Sequence, residues 1–175
     1  MRICFIRHGD NVDDKLTRLG KLQAKLVCND LFYEDISCIY TSPKQRTLQT
    51  AKIIAKKLKI SNITIASQIT ERSQPTKTNL STQELAEFNQ RYLDYEFSRQ
   101  NPEGCKEYID RCFAFLEQII KTHAPKNENV LIVGHSSFAY ALNSFFTGIP
   151  KDNELVWMRV GNCSKLCYEV YKKEN

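Results

Sequence analysis

Histidine, tryptophan and glycine are scarce in this chain, and long apolar runs are missing. It contains three histidines, one tryptophan and six glycines in 175 residues. No apolar stretch approaches the roughly 20 residues that cross a membrane, and no linker, repeat or low-complexity tract is visible. Met1 leads straight into an apolar strand pattern, so we expect no secretory signal. We therefore expect a single domain, residues 1–175, with no membrane partner.

Charge and cysteine content narrow the function classes further. The formal net charge of +5 is mild and spread along the chain, and the modules of nucleic-acid-binding proteins are not visible. The seven cysteines are odd in number and lack the spacing of metal ligands. Free, mostly buried thiols are typical of a reducing compartment, so we expect a cytoplasmic protein without a nucleic-acid partner. The sequence sets no oligomeric state.

A histidine flanked by an arginine follows the first strand pattern. Arg7, His8 and Gly9 come directly after the apolar run Ile3–Ile6. In open α/β sheets the carboxyl ends of the strands face the ligand crevice, which favours chemistry at this point. The triplet alone is a weak motif, because it also arises by chance.

A second segment places an arginine behind a strand pattern. Ser42 and Pro43 follow the apolar stretch that ends at Tyr40, and Arg46 comes about one turn later. Ser42 with Gln45 matches a capping box and Pro43 suits the first helical position, so we predict a helix start here. Arg46 would then stand beside the free backbone N–H groups of a helix N-terminus.

A third segment places another histidine behind a strand. His135 follows the apolar run Val130–Val133, and a helix pattern continues after it. Parallel strands bring such ends to one edge of a sheet, where two arginines and helix N-termini would suit a phosphate group. Arg7 and Arg46 could instead be surface charges, and both histidines could be structural. The recurrence of the pattern favours the phosphate pocket.

On these residues the chain resembles the histidine phosphatase superfamily, the phosphoglycerate mutase-like enzymes. The resemblance runs from residue 1 to about residue 170 and is weakest between about 60 and 105. The matching positions are Arg7, His8, Gly9, Leu16, Thr17, Gly20, Gln23, Ala24, Thr41, Ser42, Pro43, Arg46, Gln49, Thr50, Ala51, Gly134, His135, Asn162 and Cys163.

The resemblance implies a fold that agrees with the order of the sequence patterns. Strand and helix patterns alternate along the chain, with the last strands predicted near 155–160 and 166–171. The family architecture is an α/β three-layer sandwich, a mostly parallel central sheet with helices on both faces. We expect this fold here.

The resemblance also implies a mechanism without a metal or a cofactor. His8 would attack a phosphoryl group to give a phosphohistidine, while Arg7, Arg46 and His135 would hold the phosphate oxygens. Such donors can surround the charge that spreads over the phosphoryl oxygens in the transition state. His8 must be neutral to attack, whereas we expect His135 to act as a protonated donor.

The leaving group needs a proton, and the resemblance implies a carboxylic acid after the third strand. Glu71 follows the strand pattern Ile63–Ile65 and is the candidate, although the glycines usual after this acid are missing. A well-placed general acid is worth roughly a hundredfold to ten-thousandfold in rate. Asp10 is the second choice, and a surface ion pair is the alternative role for Glu71.

The loop after Gly9 is short and acidic. It carries Asp10, Asp13 and Asp14, where the family often has a longer loop whose polar side chains touch the phosphate. Carboxylates at the pocket mouth would repel a second phosphate. We therefore expect hydrolysis rather than mutase chemistry.

We expect residues 66–101 to form a lid over the pocket. Ser81 with Glu84 matches a capping box, which predicts an amphipathic helix of roughly four turns. Its apolar side is Leu85, Phe88, Tyr92 and Tyr95, which we interpret as a packed face rather than a substrate contact.

Our preferred hypothesis is a phosphatase whose partner is a phosphorylated small-molecule substrate. Arg72 and Lys77 could reach an anionic substrate or simply be solvated. The alternatives are a protein phosphohistidine phosphatase, a mutase-type phosphotransferase and a non-catalytic phosphate-binding member. A metallohydrolase would use His8 and His135 as ligands, but the one further histidine, His123, lies at a helix end.

Overall fold

The computed structural model describes residues 1–72, 75 and 80–171. Its strands are β1 (Arg2–Arg7), β2 (Asn11–Val12), β3 (Lys15–Leu16), β4 (Ile36–Thr41), β5 (Ile63–Ile65), β6 (Asn129–Gly134) and β7 (Lys165–Glu169). Its helices are α1 (Arg18–Leu31), α2 (Gln45–Leu58), α3 (Thr82–Gln90), α4 (Cys105–His123) and α5 (Ser136–Thr147). None of the helices in these ranges has both the length and the apolar character that a bilayer crossing requires.

Five strands form the central sheet, in the order β5-β4-β6-β1-β7. β6 pairs in parallel with β1 and β4, and β4 pairs in parallel with β5. β7, at one edge, runs antiparallel to β1. The prediction of an α/β fold with a mostly parallel sheet is confirmed. The carboxyl ends of the four parallel strands lie along the same edge of the sheet.

Alternate residues of the strands pack into two apolar cores, one on each face of the sheet. Ile3 and Phe5 of β1 belong to a core that includes residues of α4 and α5. Cys4 and Ile6 belong to a second core, built with residues of α1 and α2. Because successive strand residues point to opposite faces, this alternation places a helical layer on each side of the sheet.

Helix α2 begins two residues later than the sequence pattern indicates. Its N-cap is Lys44, whose side chain makes no capping hydrogen bond, so the predicted capping box of Ser42 and Gln45 is wrong. The carboxylate of Asp14 accepts hydrogen bonds from the backbone N–H groups of Gln45 and Arg46 instead, at 3.0 and 3.4 Å. A capping group from a distant loop has replaced the local one, and local sequence patterns carry no record of it.

The segment around α3 also differs from its prediction. The capping box of Ser81 and Glu84 is present, but the helix ends at Gln90 and is therefore shorter than four turns. Tyr95 lies beyond it in a turn, where its N–H donates to the carbonyl of Asn153. The strand predicted near 155–160 is wrong, because that stretch is irregular.

Two cysteines are paired, contrary to the expectation of free thiols. Cys4 of β1 and Cys167 of β7 are direct partners across the antiparallel edge and form a disulfide. Five other cysteines are free and buried, as expected. Spacing along the chain could not reveal the pair, because the two residues meet through the sheet register after a separation of 163 residues.

Candidate active site

Arg7, His8, Arg46 and His135 come together at the carboxyl edge of the sheet. His8 directly follows β1, and its N–H donates to the carbonyl of Gly134 in β6 at 3.0 Å. His135 is the N-cap of α5, directly after β6, and Arg46 is the second residue of α2, which follows β4. The ring centroids of the two histidines are 5.4 Å apart. His8, Arg46 and His135 are therefore neighbours, and the charge of Arg7 lies close enough to lower the pKa of His8.

Two glycines let the loop behind His8 lie against the start of α1. A Cβ on Gly9 would come within 2.5 Å of the carbonyl oxygen of Gly20, and a Cβ on Gly20 within 2.0 Å of that of Asp10. Both contacts are with backbone, which cannot easily move aside. The absence of side chains at these two positions thus allows the loop behind His8 to approach the helix closely.

The backbone sets the tautomer of His8, which is 3% exposed. Its Nδ1 lies 2.8 Å from the carbonyl oxygen of Gly9, which can only accept, so Nδ1 carries the hydrogen. Nε2 therefore keeps its lone pair. Burial first, together with the charges of Arg46 and Arg7, lowers the pKa of His8 to about 4. At neutral pH this imidazole is therefore uncharged.

His135 is buried and neutral as well. Its Nδ1 lies 3.2 Å from Nη2 of Arg46, which can only donate, so Nδ1 accepts. Nε2 then carries the hydrogen and donates to Oγ of Ser42 at 2.8 Å. Burial and the charge of Arg46 lower the pKa of His135 to about 2. The expectation of a protonated His135 disagrees with this lowered pKa, because burial and the Arg46 guanidinium both disfavour the charged ring.

Arg46 is held between two carboxylates. Its Nη1 donates to Oδ1 of Asp14 at 2.6 Å, and its Nη2 donates to Oε2 of Glu71 at 2.5 Å. Although burial opposes it, hydrogen bonds from Gln45 and Arg46 lower the pKa of Asp14. Glu71 is also 3.8 Å from Nδ1 of His135, and its side chain is 41% exposed. The candidate acid thus lies at the site and can face an incoming molecule.

An open cavity of about 490 Å³ lies beside these groups. Arg7 lines it and donates from Nη1 to the carbonyl of Val160 at 2.8 Å, while its buried Nε has no partner among the described residues. The volume is in the range of small-molecule sites. The other lining residues are Glu71, Arg72, Tyr92, Ser136, Ser137, Trp157, Met158, Arg159 and Val160.

The other residues considered from the sequence have the following surroundings in the structure. The carboxylate of Asp10, the second-choice acid, accepts a hydrogen bond from Oγ1 of Thr17, which is the N-cap of α1. Arg72 is not the solvated charge considered from the sequence, because it is 1% exposed. Phe88 is packed as expected, and Tyr92 also lines the cavity. Lys77 lies outside the described residues.

Comparison with known proteins identifies the family. The family model described as histidine phosphatase superfamily (branch 1) matches residues 3–175. The chain belongs to the histidine phosphatase superfamily. The family match covers every residue of the site.

Individual known proteins resemble the chain to different extents. It is 30% identical over 155 residues to ubiquitin-associated and SH3 domain-containing protein A of Homo sapiens, covering 79% of this chain and 23% of that protein. The chain therefore spans about a quarter of that relative. It is 26% identical over 169 residues to putative phosphoserine phosphatase 2 of Hydrogenobacter thermophilus, covering 87% of this chain and 81% of the relative.

A solved structure shows the same fold. The phosphoserine phosphatase from Entamoeba histolytica, in complex with 3-phosphoglyceric acid, superposes with a TM-score of 0.73. The match covers 95% of this chain and 89% of that chain at 18% sequence identity. At this identity the likeness concerns the fold.

In this member of the superfamily, three polar residues support the site in ways that the sequence patterns did not indicate. Ser42 accepts from His135 rather than capping α2. Thr50 Oγ1 accepts from the N–H of Gly9 at 3.1 Å, and Asn162 Nδ2 donates to the carbonyl of His8 at 3.0 Å. All three positions match the family pattern, and Thr50 is a polar residue on the buried side of α2. That polarity was the available signal.

Proposed function

We propose that this chain is a metal-independent phosphomonoester hydrolase whose nucleophile is His8. The observation that carries this proposal is the hydrogen bond from His8 Nδ1 to the carbonyl of Gly9 at 2.8 Å. It leaves the lone pair on Nε2 of a neutral, buried ring. That ring lies beside Arg46 and His135, which suits attack on a bound phosphoryl group.

The first step forms a bond between Nε2 of His8 and phosphorus. The ester P–O bond breaks, and its electron pair leaves with the alcohol oxygen. Arg7 and Arg46 would hold the phosphoryl oxygens, because a guanidinium can bond two oxygens at once and stays charged. His135 would hold Arg46 in position through its Nδ1, which accepts from Nη2.

Glu71 would supply the proton that the leaving alkoxide needs. Its ion pair with Arg46 must first be exchanged for the substrate phosphate, whose negative charge then favours the protonated carboxyl group. In the second step the Glu71 carboxylate would take a proton from water as the oxygen attacks phosphorus. The N–P bond breaks, and phosphate and neutral His8 are released.

The substrate class we propose is a small phosphorylated metabolite. The cavity beside Glu71 has room for a small leaving group, and a relative covered over 81% of its length carries the name putative phosphoserine phosphatase. Asp14 already pairs with Arg46 and adds negative charge beside the phosphate position. Hydrolysis therefore suits this site better than a mutase reaction, which must accommodate a second phosphate.

A metal-dependent reaction is disfavoured by the charges around the histidines. Both ring nitrogens of His135 are engaged, and one of them faces the Arg46 guanidinium at 3.2 Å. A cation bound to that nitrogen would lie against another cation. We propose that no metal or cofactor takes part.

The domain boundaries, the lid and the cellular location are also proposals. We propose one domain over residues 1–175, with residues 66–101 acting as the lid of the site. We also propose a cytoplasmic location, consistent with the five free and buried cysteines. The disulfide of Cys4 and Cys167 does not support that location.

A screen of phosphomonoesters without added metal tests the proposed function. We expect turnover of p-nitrophenyl phosphate and at least about a thousandfold loss in His8→Ala, as for loss of a nucleophile. His123→Gln is the matched control, because it removes a buried histidine that contacts Tyr40 and Glu128 away from the site. Equal rates for His8→Ala and the unaltered protein would refute the assignment.

Glu71→Gln tests the acid. We expect a large loss of rate on glycerol phosphate and a small loss on p-nitrophenyl phosphate, whose leaving group needs little protonation. Equal losses on both esters would remove Glu71 from this role.

A further inference from the structure

We propose that Arg111, Glu103 and Arg72 form a clamp that positions Glu71 for proton transfer. The proposal rests on the proposed function, because it concerns the residue that protonates the leaving group. The three residues of the clamp are positioning residues, since they act on the backbone beside Glu71 rather than on the reacting atoms.

Arg111 holds the chain on the N-terminal side of Glu71. It lies on α4, and its Nη2 donates to the carbonyl of Thr70 at 3.0 Å. Its Nη1 donates to the carbonyl of Gln68. These two carbonyls belong to the turn that leads into Glu71. One guanidinium thus fixes two backbone groups 41 and 43 residues away along the chain.

Arg72 holds the chain on the C-terminal side. Its Nε donates to the carbonyl of Glu103 at 3.2 Å, and its Nη1 donates to the carbonyl of Tyr92. The guanidinium also lies 4.2 Å from the ring centroid of Tyr92 and 5.0 Å from that of Phe88. Burial of a guanidinium is costly unless its donors are occupied, and two of the three nitrogens have acceptors, while the buried Nη2 has none among the described residues. The two hydrogen bonds and the aromatic contacts hold the side chain beside Glu71.

Glu103 joins the two halves of the clamp. Its carboxylate binds Arg111 in the two-pronged geometry, with Oε1 2.6 Å from Nε and Oε2 2.8 Å from Nη2. Its carbonyl is the acceptor for Arg72. Glu103 therefore orients Arg111, which holds the chain before Glu71, and accepts a hydrogen bond from Arg72, which follows Glu71. Both carboxylate and guanidinium are about three-quarters buried, which strengthens the pair relative to a surface ion pair.

The Glu71 side chain is partly exposed, so its own contacts do not fix its position at the pocket. The neighbouring residues must keep the carboxyl group near the pocket when phosphate displaces it from Arg46. Misplacement of a catalytic group by about 1 Å can cost on the order of a hundredfold in rate. Thr70 is attached to α4 through Arg111, and Arg72 is attached to Glu103, which directly precedes the N-cap of that helix; these attachments limit such movement.

Glu103→Gln and Arg111→Lys test the clamp in the full-length protein. Glutamine removes the charge of the pair at nearly constant size, and lysine keeps a charge but loses the planar fork. We expect each variant to lose about 10- to 100-fold in kcat on glycerol phosphate and less than about threefold on p-nitrophenyl phosphate. Arg91→Gln is the control, because Arg91 forms surface ion pairs with Glu87 and Asp94 in the same region.

Combination with Glu71→Gln separates positioning from a loss of folding. If the clamp acts through Glu71, then Glu103→Gln should cause little further loss on glycerol phosphate in the Glu71→Gln background. Thermal melting should show both single variants folded at the assay temperature. Additive losses in the double variant, or equal losses on both esters, would overturn the clamp, as would rates equal to those of Arg91→Gln.

The two proposals fail in different ways. Normal turnover by the unaltered protein, with no selective effect of the clamp variants, would refute the clamp and leave the phosphatase standing. Absence of turnover on every ester, together with the absence of any phosphate on His8, would refute the proposed function and the clamp together.

Discussion

Acidification should leave the two histidines of the site uncharged over a pH range in which ordinary histidines become protonated. Burial is the largest cause of the lowered pKa in both, and the charge of Arg46 adds to it. We expect His8 to become half-protonated near pH 4, whereas His135, with a pKa of about 2, should stay neutral throughout. An ordinary histidine titrates near 6.5, so at pH 5.5 it would be only about one-tenth neutral.

The same pKa values predict how stability depends on pH. In the unfolded chain both rings take up protons near pH 6.5, while in the folded protein they do not until the pH is much lower. Their stabilising contribution is therefore complete above about pH 6.5 and is lost as the pH falls. At pH 5 each ring should lower the free energy of unfolding by about 2 kcal/mol, or about 4 kcal/mol together.

Nitrogen-15 NMR of the imidazoles measures these pKa values directly. The chain has three histidines, so the spectrum contains three rings, which single His→Gln variants would assign. Urea unfolding at pH 7.5 and pH 5.0 gives the change in stability, and His8→Gln should remove about half of it. Arg46→Gln should raise the pKa of both rings.

A midpoint near 6.5 for His8 or His135 would refute the reasoning that burial and Arg46 keep the nucleophile neutral. The same conclusion would follow if the loss of stability between pH 7.5 and pH 5.0 were unchanged in both His→Gln variants.

Two further predictions concern packing and hydrogen bonds of the site. Gly20→Ala should lower the free energy of unfolding by about 3 kcal/mol or more, because its Cβ would lie 2.0 Å from the carbonyl oxygen of Asp10; an unchanged melting temperature would contradict this contact. Ser42→Ala should cost about 1–3 kcal/mol of stability, because it leaves the buried Nε2–H of His135 without its acceptor at 2.8 Å; urea unfolding measures this, and a neutral effect would argue against the assigned tautomer.

The pattern of polar residues directly behind apolar strand runs was enough to predict that these residues meet. The position of each residue depends only on its neighbours along the chain and on the parallel pairing of the strands. Three apolar runs became β1, β4 and β6, and the polar residues behind them met at one edge. His8 and His135 are each directly attached to a strand of this sheet. Their proximity therefore follows from strand order alone.

The hydrogen-bonding partners of the pocket could not be predicted in the same way. Asp14 caps α2 from 31 residues away, and His135 pairs with Ser42 across 93 residues. Such contacts depend on how loops cross the carboxyl edge, which no local pattern records. The protonation state of His135 was missed for the same reason, since it is set by burial first and by the position of Arg46 second.

The interpretation of the cysteines failed because it used their number and spacing. Cys4 and Cys167 lie at opposite ends of the chain, and the antiparallel register of β7 makes them partners. The short α3 has a similar explanation. Helical spacing continued to Tyr95 in the sequence, but the chain turns after Gln90 so that Tyr92 can pack beside Arg72.

Covalent phosphorylation of His8 is the central claim, and trapping the phosphoenzyme tests it most directly. Purified protein is mixed with a phosphorus-32-labelled phosphomonoester, quenched within milliseconds in alkaline denaturant, and the labelled peptide is identified by mass spectrometry. We predict an acid-labile phosphate on Nε2 of His8 that forms and decays at rates compatible with turnover and is absent in His8→Ala. Full turnover with no labelled intermediate, or with the label on another residue, would contradict the account.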